Sequence, residues 1–322
     1  MTHAAGQTAA RPVAVIGAGT LGRRIAMMFA SDGGLVRLYD LSEDVRTAAL
    51  DYVAAELPKV VASRPGATEG RVVGVDTLEA ALDNAWLAIE AVPERLELKR
   101  TLFADLDRIA PADTILASNS SSYASRMFVD QVEHKERVLN MHFYMPPAQN
   151  AVDLMSDGAT DPAIIERLKN ELPRYGVHPF EARRESTGFI FNRVWAAIKR
   201  EALAVVAEGV TTPEEFDAMF QVNTGAKVGV FRMMDQVGLD VVLDIENHYA
   251  AENPHLPEGP RRLLHEYVDT GRLGVKDRPR LLRRLRHHSE QRLTHRPHHV
   301  GPHYSHPPTH SPATATREMP RP

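Results

Sequence analysis

Val13-Ala14-Val15-Ile16-Gly17-Ala18-Gly19-Thr20-Leu21-Gly22 is the stretch on which the fold turns. Its first four residues are small or β-branched and apolar, as in a strand buried on both faces. Three glycines follow at G-x-G-x-x-G spacing, and Arg23 to Ser31 then carries Ile25, Ala26, Met28 and Phe29 at helical intervals. Strand, glycine turn and helix in that order make a phosphate-binding turn. The first glycine permits the tight turn, the second lets a pyrophosphate approach the backbone, and the third lets helix and strand pack closely. The helix start, at Thr20 and Leu21, offers unpaired N–H groups and a partial positive charge to phosphates. Gly33-Gly34 ends the helix, and Leu35 to Asp40 reads as the next strand. Asp40 closes that strand, where its carboxylate can accept both hydroxyls of a ribose and would repel a 2′-phosphate. The expectation is an NAD site, not an NADP site, built from Gly17, Gly19, Thr20, Leu21, Gly22 and Asp40. A glycine turn that served packing alone would leave Asp40 unexplained.

Outward from this turn, strands and helices alternate. Ser42 caps a helix to about Ala62. Val72–Asp76, Trp86–Val92, Thr114–Ala117 and Val138–His142 read as strands, with helices at Thr77–Asn84 and Glu97–Ile109 between them. The expected class is α/β, a Rossmann-type doubly wound sheet over 11–187. After Thr187 only helical patterns appear: Gly188–Gly209, Pro213–Phe220, Phe231–Tyr249 and Pro260–Val268. They predict an all-α C-terminal domain over 188–277. From Arg278 the chain holds nine arginines, eight histidines and eight prolines but two acids. That composition cannot bury a core, so 278–322 reads as a disordered, solvated tail rather than a metal site.

Composition narrows the function. The chain of 322 residues is 43% apolar and has no cysteine, which excludes disulfides, thiolate catalysis and cysteine-held zinc. No metal is expected. No run is long and apolar enough for a membrane span, and Met1 to Arg11 lacks the apolar core of a signal peptide, so the expectation is a cytoplasmic protein with no membrane partner. Before Arg278 stand 29 lysines and arginines against 40 acids. That acidic body argues against nucleic acid as a partner.

Several further segments lie in one order along the chain: Glu90-Ala91-Val92-Pro93-Glu94 with Lys99 and Phe103; Ile115-Leu116-Ala117-Ser118-Asn119-Ser120-Ser121-Ser122; Met141-His142-Phe143-Tyr144-Met145-Pro146; Gly188-Phe189-Ile190-Phe191-Asn192-Arg193; Glu208-Gly209-Val210; and Asp235-Gln236-Val237-Gly238-Leu239-Asp240. Together they resemble the L-3-hydroxyacyl-CoA dehydrogenase family over about Val13 to Lys276. The resemblance implies NAD-linked oxidation of a 3-hydroxyacyl thioester, with an acyl-CoA as the small-molecule substrate, and a homodimer formed through the helical domain. It implies His142 as general base, taking the hydroxyl proton as hydride leaves for the nicotinamide ring. It places Ser121 and Asn192 on the substrate oxygen, and Glu94, Lys99 and Asn119 on the cofactor side. Plainer readings stand beside these: His142 as a core histidine, Ser121 as a helix cap, Asn192 as a structural amide, and Lys99 as a solvated helix residue.

The chain also departs from the family pattern. The carboxylate partner expected for His142 is a glutamate, and Val152-Asp153-Leu154 stands nearest to it. Aspartate is one methylene shorter, and its spacing from His142 is one residue shorter. Either the intervening loop is trimmed so that Asp153 still reaches, or the pair is loose; about 1 Å of misplacement can cost on the order of a hundredfold in rate. Met145 to Asn150 departs from N-P-V-P, which opens the alternative of a dehydrogenase of a non-CoA hydroxy acid, and Asp153 with the altered tail opens that of an NAD-binding protein with little catalysis. After Gly274-Val275-Lys276 the family continues G-x-G-F-Y, whereas here Arg278 to Arg286 follows. Codons can be chosen for this run whose shifted frame restores Gly-Arg-Gly-Phe-Tyr, which suggests a frameshifted end; the gene's nucleotide sequence decides it.

Overall fold

The computed structural model describes residues 11–274. The expectations for the tail and its reading frame fall outside these residues. Contacts divide the chain into two compact units, one up to Ile198 and one from Lys199.

The first unit opens with β1 (Val13–Ile16), α1 (Thr20–Ala30), β2 (Leu35–Tyr39), α2 (Glu43–Ala62), β3 (Arg71–Val75), α3 (Leu78–Leu82) and β4 (Leu87–Glu90). It continues with α4 (Leu96–Ile109), β5 (Ile115–Ser118), β6 (Val138–Met145), β7 (Gln149–Met155), α5 (Pro162–Glu171) and β8 (His178–Ala182). The eight strands form one sheet in the order β3-β2-β1-β4-β5-β6-β7-β8. All neighbours are parallel except β6 and β7, which form an antiparallel hairpin. The order reverses between β1 and β4, and ligands of such sheets bind in the crevice beyond the strand ends at that point. The predicted doubly wound sheet is therefore present.

The burial pattern explains the elements. Val13 to Ile16, Leu87 to Glu90 and Ile115 to Ser118 are buried throughout, as central parallel strands must be. One core layer packs Ile25, Met28 and Phe29 of α1 against Val15, Ile89 and Met141. The opposite layer packs Phe103 and Leu106 of α4 against Ile16, Ala88 and Leu116. Ser42 and Thr77 accept N–H bonds at the starts of α2 and α3, as serine and threonine caps do.

α6 (Phe191–Ala207) starts three residues later than its sequence pattern suggests, after a turn in which Phe189 takes φ +54°. The second unit adds α7 (Pro213–Thr224), α8 (Val230–Val237), α9 (Leu239–Glu252) and α10 (Gly259–Val268). The single helix expected over Phe231–Tyr249 is two helices. Gly238 breaks it with φ +108°, a conformation open to glycine and costly for other residues. Within this unit Asp217 of α7 accepts from the first N–H groups of α8, at Phe231 (2.8 Å) and Arg232 (2.9 Å). Arg200 pairs with Glu246 at 2.7 Å, joining α6 and α9. The sequence reading also missed α5, although it buries Ile165 and Leu168 on one face, and β8, which lacks a clean alternation.

Candidate active site

The glycine turn stands where β1 meets α1. Gly17 takes φ +104°, and a Cβ on it would lie 2.6 Å from the Ala91 carbonyl. A Cβ on Gly22 would collide with the Gly17 carbonyl, so the helix packs this tightly on the turn only with glycine. Gly19 differs: no atom lies within 4 Å of where its Cβ would stand. Open space thus faces the start of α1, whose N-terminus has no side-chain cap. Thr20 and Leu21 form the first turn there and leave N–H groups free for an anion. Asp40 lies just past β2. Its Oδ2 accepts from Ala18 N–H at 2.9 Å and its Oδ1 from Ser42 N–H at 3.0 Å. Each oxygen retains a lone pair, so the carboxylate is aimed by the backbone while able to accept ribose hydroxyls. The residues present fit a dinucleotide.

A second cluster lies at the ends of β4 and β5. Lys99, 1% exposed, donates to Glu90 at 2.7 and 2.9 Å and pairs with Glu94 at 3.1 Å. The reading of Lys99 as a solvated helix residue is overturned. Its ammonium is buried because two carboxylates on neighbouring turns of chain compensate it. Glu90 also accepts from Val92 N–H at 2.8 Å and from the Ser118 hydroxyl at 2.6 Å. Glu94 accepts through Oε1 from the Ser120 hydroxyl (2.5 Å), Ser121 N–H (3.1 Å) and Ser122 N–H (2.9 Å). Burial pushes the Glu94 carboxyl up, but the Lys99 charge and the bonds from Ser120 and Ser122 outweigh it and hold it below its ordinary value. Glu94 therefore holds the serine loop in place as an anion, with Ser121 exposed at its tip. Asn119 ties this loop to the next strand, its Oδ1 accepting from Phe143 N–H at 2.8 Å.

His142 lies toward the carboxyl end of β6, the same edge of the sheet as the glycine turn. It stands directly opposite Asp153 of β7, and opposed residues share a face. Its Nδ1 is 3.5 Å from Asp153 Oδ2, the outer limit of a hydrogen bond. Both side chains are nearly buried. The hairpin is thus short enough to bring the pair face to face, while the contact itself is long. The imidazole lies flat on the Phe189 ring, with centroids 4.9 Å apart and planes 4° apart. The left-handed turn that presents this ring is closed by Phe189 N–H to Ser186 O at 2.9 Å. Among the described residues no hydrogen bond engages His142 Nε2, and neither Ser121 nor Asn192 bonds to the ring. Asn192 is half-buried in the first turn of α6.

Two contributors escaped the sequence reading. Tyr144 donates its hydroxyl to Asp153 Oδ2 at 2.6 Å. Arg24 of α1 donates to the Pro146 carbonyl at 3.0 Å and so pins the β6–β7 turn to the nucleotide-side helix. Tyr144 lies two residues from His142, but the register shift between Phe143 and Met145 breaks the simple alternation there, so spacing did not place it.

A doubly wound sheet with an open glycine turn and an acid closing its second strand defines a dinucleotide-binding protein. The chain belongs to the 3-hydroxyacyl-CoA dehydrogenase family. Residues 12–185 match that family's NAD binding domain and residues 188–283 its C-terminal domain. Among curated relatives, it is 35% identical over 275 residues to the 3-hydroxyadipyl-CoA dehydrogenase of Escherichia coli (strain K12), covering 82% of this chain and 57% of that protein. The chain thus spans little more than half of that relative's length. It is 32% identical over 274 residues to a probable 3-hydroxybutyryl-CoA dehydrogenase of Bacillus subtilis (strain 168), covering 83% of this chain and 94% of that one. A solved structure of a diketoreductase, described as acting on dicarbonyl compounds, superposes with a TM-score of 0.73 at 30% identity, covering 84% of this chain and 98% of that chain.

Proposed function

We propose that the chain is an NAD-dependent dehydrogenase that interconverts a 3-hydroxyacyl-CoA, or a related 3-hydroxy acid, and its 3-oxo counterpart. The facing of His142 and Asp153 at the strand edge that carries the glycine turn is the observation that bears most weight. Domain limits of 11–187 and 188–277 go with this reading.

NAD, when bound, supplies the hydride acceptor. Gly17, Gly19 and Gly22 let its pyrophosphate reach the N–H groups of Thr20 and Leu21, and Asp40 accepts its ribose hydroxyls. His142 takes the substrate hydroxyl proton on Nε2 as the C–H bond is broken; in reverse, the imidazolium returns it. Asp153 faces Nδ1, which selects the tautomer with a free Nε2 and stabilises the imidazolium. Ser121 and Asn192 hold the substrate oxygen near that nitrogen. Glu94 and Asn119 serve the nicotinamide-ribose side, and Lys99 works through Glu94. Exposed Met219 and Val222 on α7 support pairing of helical domains in a homodimer.

A non-thioester substrate is the second reading, favoured by the departure of Met145 to Asn150 and by the diketoreductase relative. The test is NADH absorbance with purified protein and acetoacetyl-CoA, beside a His142→Ala variant. Oxidation of NADH that falls at least a hundredfold in the variant is expected. Silence with NADH still bound by fluorescence titration refutes the thioester and turns the assay to free dicarbonyl compounds. Equal rates in the variant refute His142 as base.

A further inference from the structure

Two departures from the family pattern meet in one hydrogen bond. Tyr144 stands where H-F-F-N-P has a phenylalanine, and Asp153 stands for the glutamate. One side chain has gained a hydroxyl, the other has lost a methylene, and the two touch. The phenol oxygen lies 2.6 Å from Asp153 Oδ2, the length of a charge-assisted O–H···O⁻ bond. The same Oδ2 lies 3.5 Å from His142 Nδ1. The carboxylate's close partner is therefore the phenol and its distant partner the imidazole. Tyr144 also stands edge-on to the His142 ring, with centroids 4.7 Å apart. The register shifts between Phe143 and Met145, and such a bulge re-aims the side chain it carries.

We propose that Tyr144 is a positioning residue that anchors Asp153 by the oxygen nearest His142 and so weakens that carboxylate's hold on the imidazole proton. The inference rests on the role given to His142 above. A carboxylate that accepts a strong hydrogen bond has less charge to offer a second partner. Burial, the bond to Asp153 and the charge of Asp153 all push the Tyr144 hydroxyl well above its ordinary value, against backbone N–H groups of Asn192 and Phe191. The phenol thus stays protonated and remains the donor.

The surroundings leave this pair to set the balance. Several charged groups on adjoining elements are engaged elsewhere. Beyond β7, Glu181 of β8 pairs with Lys169 at 3.2 Å. Glu185 pairs with Arg126 at 2.6 Å, and Arg24 donates to the Pro146 carbonyl. Glu94 is held by Lys99 and the serine loop. His178 of β8 opposes Ala151, two positions from the residue facing Asp153. Phe189, against the other face of the imidazole, has no charge.

The test compares wild type with Tyr144→Phe by NMR titration of the His142 ring and by pH profiles in both reaction directions. In the variant the His142 titration moves to higher pH. The acidic limb of hydroxy-substrate oxidation and the basic limb of oxo-substrate reduction move up together. Oxidation on the acid side falls about threefold to tenfold. A His142 titration that does not move overturns the proposal, as does a uniform fall in rate with both limbs fixed. An Asp153→Asn background removes the charge, so Tyr144→Phe must cause no shift there; a shift that persists overturns the proposal. If the phenylalanine variant fails to fold, 3,5-difluorotyrosine at position 144 keeps the ring and strengthens the donor. It must move the His142 titration down, and no movement overturns the proposal. Wild type that turns over no substrate while its His142 titration still responds to Tyr144→Phe refutes the proton-transfer role of His142 and supports the coupling.

Discussion

Replacing Lys99 with methionine should be among the most damaging single changes in the nucleotide-binding unit. Glu90 is fully buried and accepts four hydrogen bonds, two of them from the Lys99 ammonium. Methionine fills similar space but leaves Glu90 with Val92 N–H and the Ser118 hydroxyl, and with no compensating charge. Breaking a buried pair by removing one partner costs about 3–5 kcal/mol. Whole proteins are stable by about 5–15 kcal/mol, so this is about a fifth of the total or more. At roughly 2–4 °C per kcal/mol for a domain of this size, Tm should fall by about 6–20 °C. Urea unfolding should show the midpoint moving at constant m-value. The cause is separable from packing. Glu90→Gln in the Lys99→Met background removes the stranded charge and should recover part of the loss. A loss under about 1 kcal/mol, or a double variant no more stable than the single, would refute the reasoning.

Asp40→Asn keeps the bond from Ala18 but removes the charge that attracts ribose hydroxyls and repels a 2′-phosphate; KM for NAD should rise about tenfold to a hundredfold and selectivity against NADP should shrink, measured by steady-state kinetics with each cofactor. An unchanged ratio of the two would count against Asp40 as the selector. Gly17→Ala meets both a left-handed φ and the Ala91 carbonyl, so thermal unfolding should show a loss of about 1–3 kcal/mol or more, with nucleotide affinity falling further than stability. The Glu94 carboxyl is held below its ordinary 4.5, so its contribution is present above that pH and is lost as pH falls through the lowered value. Acid titration should therefore loosen the serine loop in wild type, and Glu94→Gln should flatten that limb; amide exchange at Ser121 and Ser122 is the measurement.

Where sequence reading succeeded, one local rule decided the outcome. The glycine turn is legible because only glycine tolerates φ +104° beside a carbonyl 2.6 Å away, and the buried strands beside it are apolar at every position. The break at Gly238 was hidden because the apolar repeat of α8 resumes in α9, so periodicity alone reads through it. β8 was hidden for another reason. His178-Pro179-Phe180-Glu181-Ala182 has no clean alternation, and pairing along β7 makes it a strand. The candidate site divides in the same way. Asp40 follows from its place at a strand end and His142 from the resemblance its segment carries, but the burial of Lys99 depends on two carboxylates that meet it only after β4 and α4 have packed.

The carboxylates at this site share one arrangement that spacing could not reveal. Asp40, Glu94 and Asp153 each accept a hydrogen bond from a group outside the proposed chemistry: Ala18 N–H, the Ser120 hydroxyl and the Tyr144 hydroxyl. An acid held at one oxygen can offer the other, or a remaining lone pair, in a fixed direction, which lowers the entropy cost of engaging a ligand. For Asp40 the anchoring donors are backbone N–H groups, and for Glu94 they are the serine loop and the Lys99 ammonium, which keep it an anion. For Asp153 the donor is a second ionisable group and takes the very oxygen that faces the imidazole. With the phenol bonded to it, that oxygen stands 3.5 Å from the imidazole nitrogen. The phenol fixes that oxygen while drawing on its charge, so this pair differs from a glutamate–histidine pair in strength as well as in reach.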